Sequence, residues 1–342
     1  MSNTTSNRSK LEAIKQGFGK AGPVIALIIL CIFLSIANPN FLTVTNILSV
    51  AGQASYSGFL ALGMMVCILT AGIDLSIGFT MTLSSVIMAT LAVKMQVSPF
   101  ISLLMAIVSG AILGLINGLL LTAGKLPHPF ISTMGTQNIY KGLSLVITGA
   151  TPIAGLPALI RWPGAAFLSS NRDTFLGKIP VSFVLMVIMF IIFSVFLNYT
   201  TLGRHIYAVG GNIETAKLSG INVNFVRTSV YVISGIMAAM GGIILAGRTD
   251  SAYPLSGLLL ENDAIASVII GGTSFFGGKG TVLGTFSGVL LIAVLRNGLN
   301  LLNVNADIQT VVIGAVIIIA VFIDVVRSGA FTSVRRKRKA QT

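Results

Sequence analysis

The chain has 342 residues, of which 54% are hydrophobic and only 9% charged, against about a quarter charged in ordinary soluble domains. A mean hydropathy of +0.93 and repeated apolar runs of about 20 residues exclude a soluble globular protein and imply a polytopic helical one in a membrane. The net charge of +13 does not imply a nucleic-acid partner. The basic residues gather at the two ends (Arg8, Lys10, Lys15, Lys20; Arg327 and the run Arg335 to Lys339), where the positive-inside rule puts cytoplasmic tails.

The first apolar run, residues 21–37, follows a basic segment and reads as an uncleaved first helix rather than a signal peptide. It stops at Asn38-Pro39-Asn40. A second helix is expected over 46–70, ending in the glycine-flanked turn Ala71 to Gly78, in which Asp74 is placed to cap a third helix over 79–93. A fourth, over 101–123, carries Gly110, Gly114 and Gly118 at the four-residue spacing that lets helices approach closely in lipid. A fifth covers 130–147. Residues 149–180, rich in Pro and aromatics, form an ordered loop outside the membrane, and a sixth helix spans 181–197. After the polar stretch 201–225, a seventh helix runs over 227–246.

Residues 264–276 are odd: about 13 residues make roughly 20 Å of helix, against a hydrocarbon core of about 30 Å. The segment runs into the glycine-rich turn Gly271 to Gly280. A helix over 281–295, extendable to 302, and one over 308–326 follow. Counting the short segment as a glycine-broken crossing gives an all-α bundle of about ten transmembrane helices with both termini cytoplasmic. The organisation is then a cytoplasmic N-terminal tail (1–20), a transmembrane domain (21–326) with a polar loop near 198–226, and a basic cytoplasmic tail (327–342). That last tail can also touch anionic headgroups of the membrane lipid.

The chemistry missing from the sequence narrows the function. Gly278-Lys279 is followed by Gly280, and Thr273 stands where a Walker A motif needs Gly, so no ATPase site is visible. With two histidines, His128 and His205, no metal site is expected, and Cys31 and Cys67 read as small core residues. An enzyme is not expected. Of the ionisable residues in or near apolar runs (Lys141, Asp74, Glu261, Asp263, Arg296, Asp307), only Lys141 falls near a helix centre. Coupling to an ion gradient, which needs such groups, is therefore the alternative reading: a secondary carrier for a small polar solute.

The polar stretch offers another energy source. Asn212 is a good N-cap, Glu214 sits in the first turn where the dipole favours it, and Gly220 is a good stop. A two-turn helix lying on the cytoplasmic face results. Its sequence, Leu202-Gly-Arg-His-Ile-Tyr-Ala-Val-Gly-Gly-Asn-Ile-Glu-Thr-Ala-Lys-Leu-Ser-Gly-Ile-Asn-Val223, resembles the coupling loop of ribose-type monosaccharide ABC transporter permeases. These are the branched family of binding-protein-dependent inner-membrane components. Thr70-Ala-Gly-Ile-Asp-Leu-Ser-Ile-Gly78 and the stretch from Glu261 to Thr285, followed by Arg296 to Leu302, are similar to the same family. The departures are Ala71 where the family has Gly, Thr215 where it has Ala, and Arg296 where it has Asn.

The resemblance implies a permease subunit of a sugar importer in a bacterial inner membrane, binding no cofactor itself. Its implied partners are a second permease (a homodimer), a cytoplasmic ABC ATPase that carries the ATP, and an extracytoplasmic sugar-binding protein. Gly203, Arg204, Tyr207, Gly210, Asn212, Glu214, Ala216, Leu218 and Gly220 would couple to the ATPase. Asp74, Phe130, Ser132, Thr133, Asn138, Thr273 and Ser274, on helix five or at glycine breaks, are candidates for the translocation path.

Overall fold

A computed structural model describes residues 22–327, apart from 170, 172, 173 and 175. The two expected basic tails, apart from Arg327, lie outside the described residues, as do Arg172 and Asp173. The helices are α1 (Gly22–Ala37), α2 (Val44–Leu69), α3 (Ile77–Ala89), α4 (Pro99–Thr122), α5 (Pro129–Thr148), α6 (Ala158–Ala165) and α7 (Val181–Tyr199). They continue as α8 (Thr201–Gly211), α9 (Ile213–Leu218), α10 (Val223–Thr249), α11 (Leu260–Ile270), α12 (Val282–Leu301) and α13 (Ala306–Arg327). Their starts are chemically marked. Thr43, Thr200, Asn212, Asn222 and Thr281 each accept a backbone N–H in the first turn, and Pro99 and Pro129 open helices where no amide donor is needed.

Among the described residues, seven helices are long and apolar enough to cross a membrane: α2, α3 with its closing π turn Thr90–Lys94, α4, α7, α10, α12 and α13. Burial sorts them into a centre and a rim. α2, α3 and α10 are mostly buried, whereas α4, α7 and α13 turn large apolar side chains outward. The centre is close-packed because small residues remove the side chains that would hold helices apart. Along α4, a Cβ on Gly110 would strike the Gly235 carbonyl, one on Gly114 the Tyr231 carbonyl, and one on Gly118 the backbone of Thr228. That is the expected glycine stripe, and its partner is α10.

Side-chain bonds fix which ends lie together. At one end, Asn38 donates to the Leu301 carbonyl, Asn46 and Asn297 bond reciprocally, and Lys94 reaches the Ile147 carbonyl. The loop 149–180 lies there too. It pairs a short strand β1 (Ile153–Ala154) with β2 (Ser251–Ala252), and Asp250 accepts from the Leu156 amide at 2.9 Å. At the opposite end, Gly278 N–H donates to the Leu69 carbonyl, and Ser274 and Phe275 bond Asp324 near the end of α13. The start of α1 lines a cavity with Ser274 and Asp324, so the first and last described helices begin and finish at this same end, where α8 and α9 also sit.

Three expectations change. The polar stretch is two helices, because Thr201 to Gly211 closes a full helix before Asn212 starts the next. The short segment is Leu260–Ile270, not 264–276: Glu261 and Asp263 occupy its first turn, and Gly271 ends it. Asp74 does not occupy the N-cap of α3. Ser76 holds the N-cap position of α3 without a side-chain cap bond, and the buried Asp74 carboxylate accepts from the Ser76 N–H and from the Ser76 and Ser234 hydroxyls instead of a first-turn amide of α3.

Candidate functional site

α8 leaves α7 through a tight corner capped by Thr200, whose Oγ1 accepts from Gly203 N–H at 3.0 Å. A Cβ at Gly203 would meet the Leu197 and Phe196 carbonyls at 2.5 Å. Ile206 and Val209 enter the core. At the far end of α8, a Cβ on Gly210 would collide with the Leu69 carbonyl and come within 2.6 Å of Gly278 N. Tyr207 Oη donates to the Gly280 carbonyl at 2.9 Å, and burial holds its phenol above the ordinary range, so it is a neutral donor. α8 is thus seated on the end of α2 and on the turn 271–280. The turn can accept it because Gly277 and Gly278 take φ +85° and +70°, a region open to glycine.

α9 is built as expected. Asn212 Oδ1 accepts from Thr215 N–H at 3.0 Å, and Gly220 stops the helix at φ +79°. The Ile221 amide returns to the Ala216 carbonyl, closing a Schellman-type end. Glu214 and Lys217 pair at 2.9 Å, both exposed, an interaction that contributes little to stability. The faces of the helix divide sharply: Ala216 is buried against its own chain, while Leu218 is 90% exposed. Arg204 is exposed at the outer surface of α8. Leu218, Glu214 and Arg204 are therefore free to meet a partner, and Ala216 is not.

Deeper in the bundle, polar groups are joined in a buried network. Asp74 accepts from Ser76 N–H (3.1 Å), Ser76 Oγ (2.7 Å) and Ser234 Oγ (2.7 Å). Asn117 donates to Ser76 Oγ at 2.7 Å, and Thr136 donates to Asn117 at 2.6 Å. One carboxylate so links the start of α3 with α4, α5 and α10. Two more acids lie in the first turn of α11: Glu261 accepts from Gln137 of α5 at 3.0 Å, and Asp263 takes a bidentate bond from Arg296 of α12 at 2.7 and 2.8 Å. Lys141 sits 6.0 Å above the Phe79 ring, a cation–π arrangement. Among the described residues no group of His, Cys, Asp and Glu is disposed to hold a metal.

The residues singled out for a translocation path divide between buried and exposed positions, and the Thr133 hydroxyl lies 3.5 Å from the Ile73 carbonyl, beside Asp74. Asp74, Ser132, Thr133, Thr273 and Ser274 are buried within the chain. Ser132 and Thr133 bond the Pro129 carbonyl, and Ser274 bonds Asp324. Phe130 and Asn138 are exposed on α5, a helix also bearing the open positions Gly135 and Gly142. Hydropathy alone hid the Asp263–Arg296 pair, since neither residue has a neighbour in sequence that announces the other.

A family model described as the permease component of the branched-chain amino acid transport system matches residues 46–321. The chain belongs to this permease family. It is 44% identical over 321 residues to the ribose import permease protein RbsC of Bacillus subtilis, covering 94% of this chain and 96% of the relative. It is 40% identical to the D-allose transport system permease protein AlsC of Escherichia coli, over 88% of this chain and 89% of the relative. To the galactose/methyl galactoside import permease protein MglC of the same organism it is 35% identical, over 93% and 96%. No solved structure matches. The permease is a multi-pass protein of the inner membrane, and the match covers every element from α2 to most of α13.

Proposed function

We propose that this permease is the membrane subunit of an ATP-driven importer for a neutral monosaccharide of the ribose, allose or galactose kind. It works as one of a pair of permeases, receives sugar from an extracytoplasmic binding protein, and binds no cofactor of its own. The chain crosses the membrane ten times, α1, α5 and α11 completing the seven long spans, with both termini cytoplasmic. The observation that carries this reading is α9: a capped helix outside the bundle, rigidly seated through α8, presenting Leu218 to whatever lies beyond. A separate cytoplasmic ATPase fits there, and its ATP-driven movement biases the permease between inward- and outward-facing states.

Leu218→Asp is expected to reduce co-purification with the ATPase subunit about tenfold or more while the melting temperature of the permease stays within a few degrees of wild type. Ala216→Trp is expected to lower the melting temperature itself, because Ala216 is buried against its own chain. For the whole reading, proteoliposomes should take up sugar only when ATPase, ATP and binding protein are all supplied. Uptake driven by an ion gradient with no ATPase present would make the chain a secondary carrier instead.

A further inference from the structure

α11 has 11 residues, about 17 Å of helix, roughly half the thickness of a bilayer core. The other half of that passage is the non-helical segment leading to Leu260. It descends until Gly257 presses against Gly78 in the first turn of α3, so closely that a Cβ on either would strike the other's carbonyl. Leu259 turns the chain there at φ +64°. Such a segment fills space less completely than a helix, and a cavity of about 400 Å³ remains above it, between α2, α3 and α10. That volume lies in the range of small-molecule sites.

The lining defines the chemistry. Six hydroxyl-bearing side chains, Tyr56, Ser85, Thr249, Ser251, Tyr253 and Ser256, share the cavity with apolar groups, and no acidic or basic side chain lines it. Ser85 donates to the Thr82 carbonyl, Ser256 meets Thr82 Oγ1 at 3.2 Å, and Thr249 donates to backbone carbonyls. Their remaining lone pairs can still accept. Tyr56 and Tyr253 have no hydrogen-bond partner for their hydroxyls among the described residues, and Tyr253 is 46% exposed at the end of the bundle away from α8 and α9. Uncharged groups that both donate and accept, beside aromatic faces, suit a neutral polyhydroxylated ring, and no charged side chain in the lining is there to pair with a phosphate.

We propose that this cavity is a monosaccharide subsite on the side of the permease remote from the ATPase, with the Tyr56 and Tyr253 hydroxyls as its ligand-directed donors. The proposal rests on the sugar-importer reading but names a site of its own. The test uses the full-length permease in lipid nanodiscs and saturation-transfer NMR with D-ribose, D-galactose and ribose 5-phosphate as probes. A saturable signal is expected from at least one neutral sugar and not from the phosphate. Tyr56→Phe combined with Tyr253→Phe should weaken it about tenfold, from the loss of two neutral hydrogen bonds. Tyr253→Phe alone, at a half-exposed position, should weaken it by about threefold and serves if the double variant folds poorly. An unaltered signal in both variants, equal binding of ribose 5-phosphate, or no saturable signal up to tens of millimolar sugar would overturn the subsite. ATP-driven sugar uptake by the wild-type complex is measured in parallel. If uptake holds while the NMR signal is absent, only the subsite fails; if uptake itself is absent, the importer reading fails.

Discussion

Arg296→Ala is expected to cost the permease roughly 3–5 kcal/mol, the usual penalty for stranding one member of a buried ion pair. Asp263 is nearly inaccessible, its side chain 4% exposed, and both its oxygens are held by the Arg296 guanidinium. No other basic side chain is bonded to it among the described residues. The pair joins α11 to α12, which α11 also meets backbone to backbone at Gly271, Gly284 and Gly288. Thermal melting in detergent would show the destabilisation. The decisive comparison is with Asp263→Asn combined with Arg296→Asn, which removes the charge from both sides. Two amides of that size leave no uncompensated ion, and the double variant should recover most of the lost stability. A double variant as unstable as Arg296→Ala would show that packing, not charge, holds the two helices together.

Gly210→Ala should abolish ATP-driven uptake, whereas Gly211→Ala should leave it close to wild type. The two glycines are adjacent and chemically identical, yet a Cβ at 210 would enter the Leu69 carbonyl and crowd Gly278 N, while a Cβ at 211 meets nothing within 4 Å. Backbone cannot yield as a flexible side chain does, so the methyl group added at position 210 must lift α8 from its seat and break the Tyr207–Gly280 and Gly278–Leu69 hydrogen bonds. α9, the proposed coupling helix, would then no longer be rigidly connected to the turn 271–280, and through it to α11. A loss of at least tenfold in uptake, with the protein still inserted in the membrane, is the expected result. Equal activity of the two variants would mean that the seat of α8 carries no coupling.

These two positions also show what could be read from residues alone. The long helices were legible because each is an apolar run bounded by chemically specific stops: Asn38-Pro39 and Gly149 fall beside observed ends, and in the polar stretch Asn212 and Gly220 bound α9, whereas α6 was not legible. α9 was legible in detail, since capping is local and depends on residues three or four apart. The glycine spacing of α4 announced close packing, although not against which helix.

What adjoining residues could not announce was decided by distance in space. Asp74 looked like a cap, because a carboxylate before a helix usually is one; the fold instead brings Ser234 to it from 160 positions away. Ala216 and Leu218 lie on one short helix, and only the packing of α9 on the core turned the first inward and the second outward. Glu261 and Asp263 appeared to precede a helix until Gln137 and Arg296 were brought within bonding range, making the first turn of α11 a polar junction inside the bundle. Capping, breaking and hydropathy are nearest-neighbour properties of the chain. The desolvation that makes a buried carboxylate require a partner, and the choice of that partner, arise only when remote segments share a dry interior.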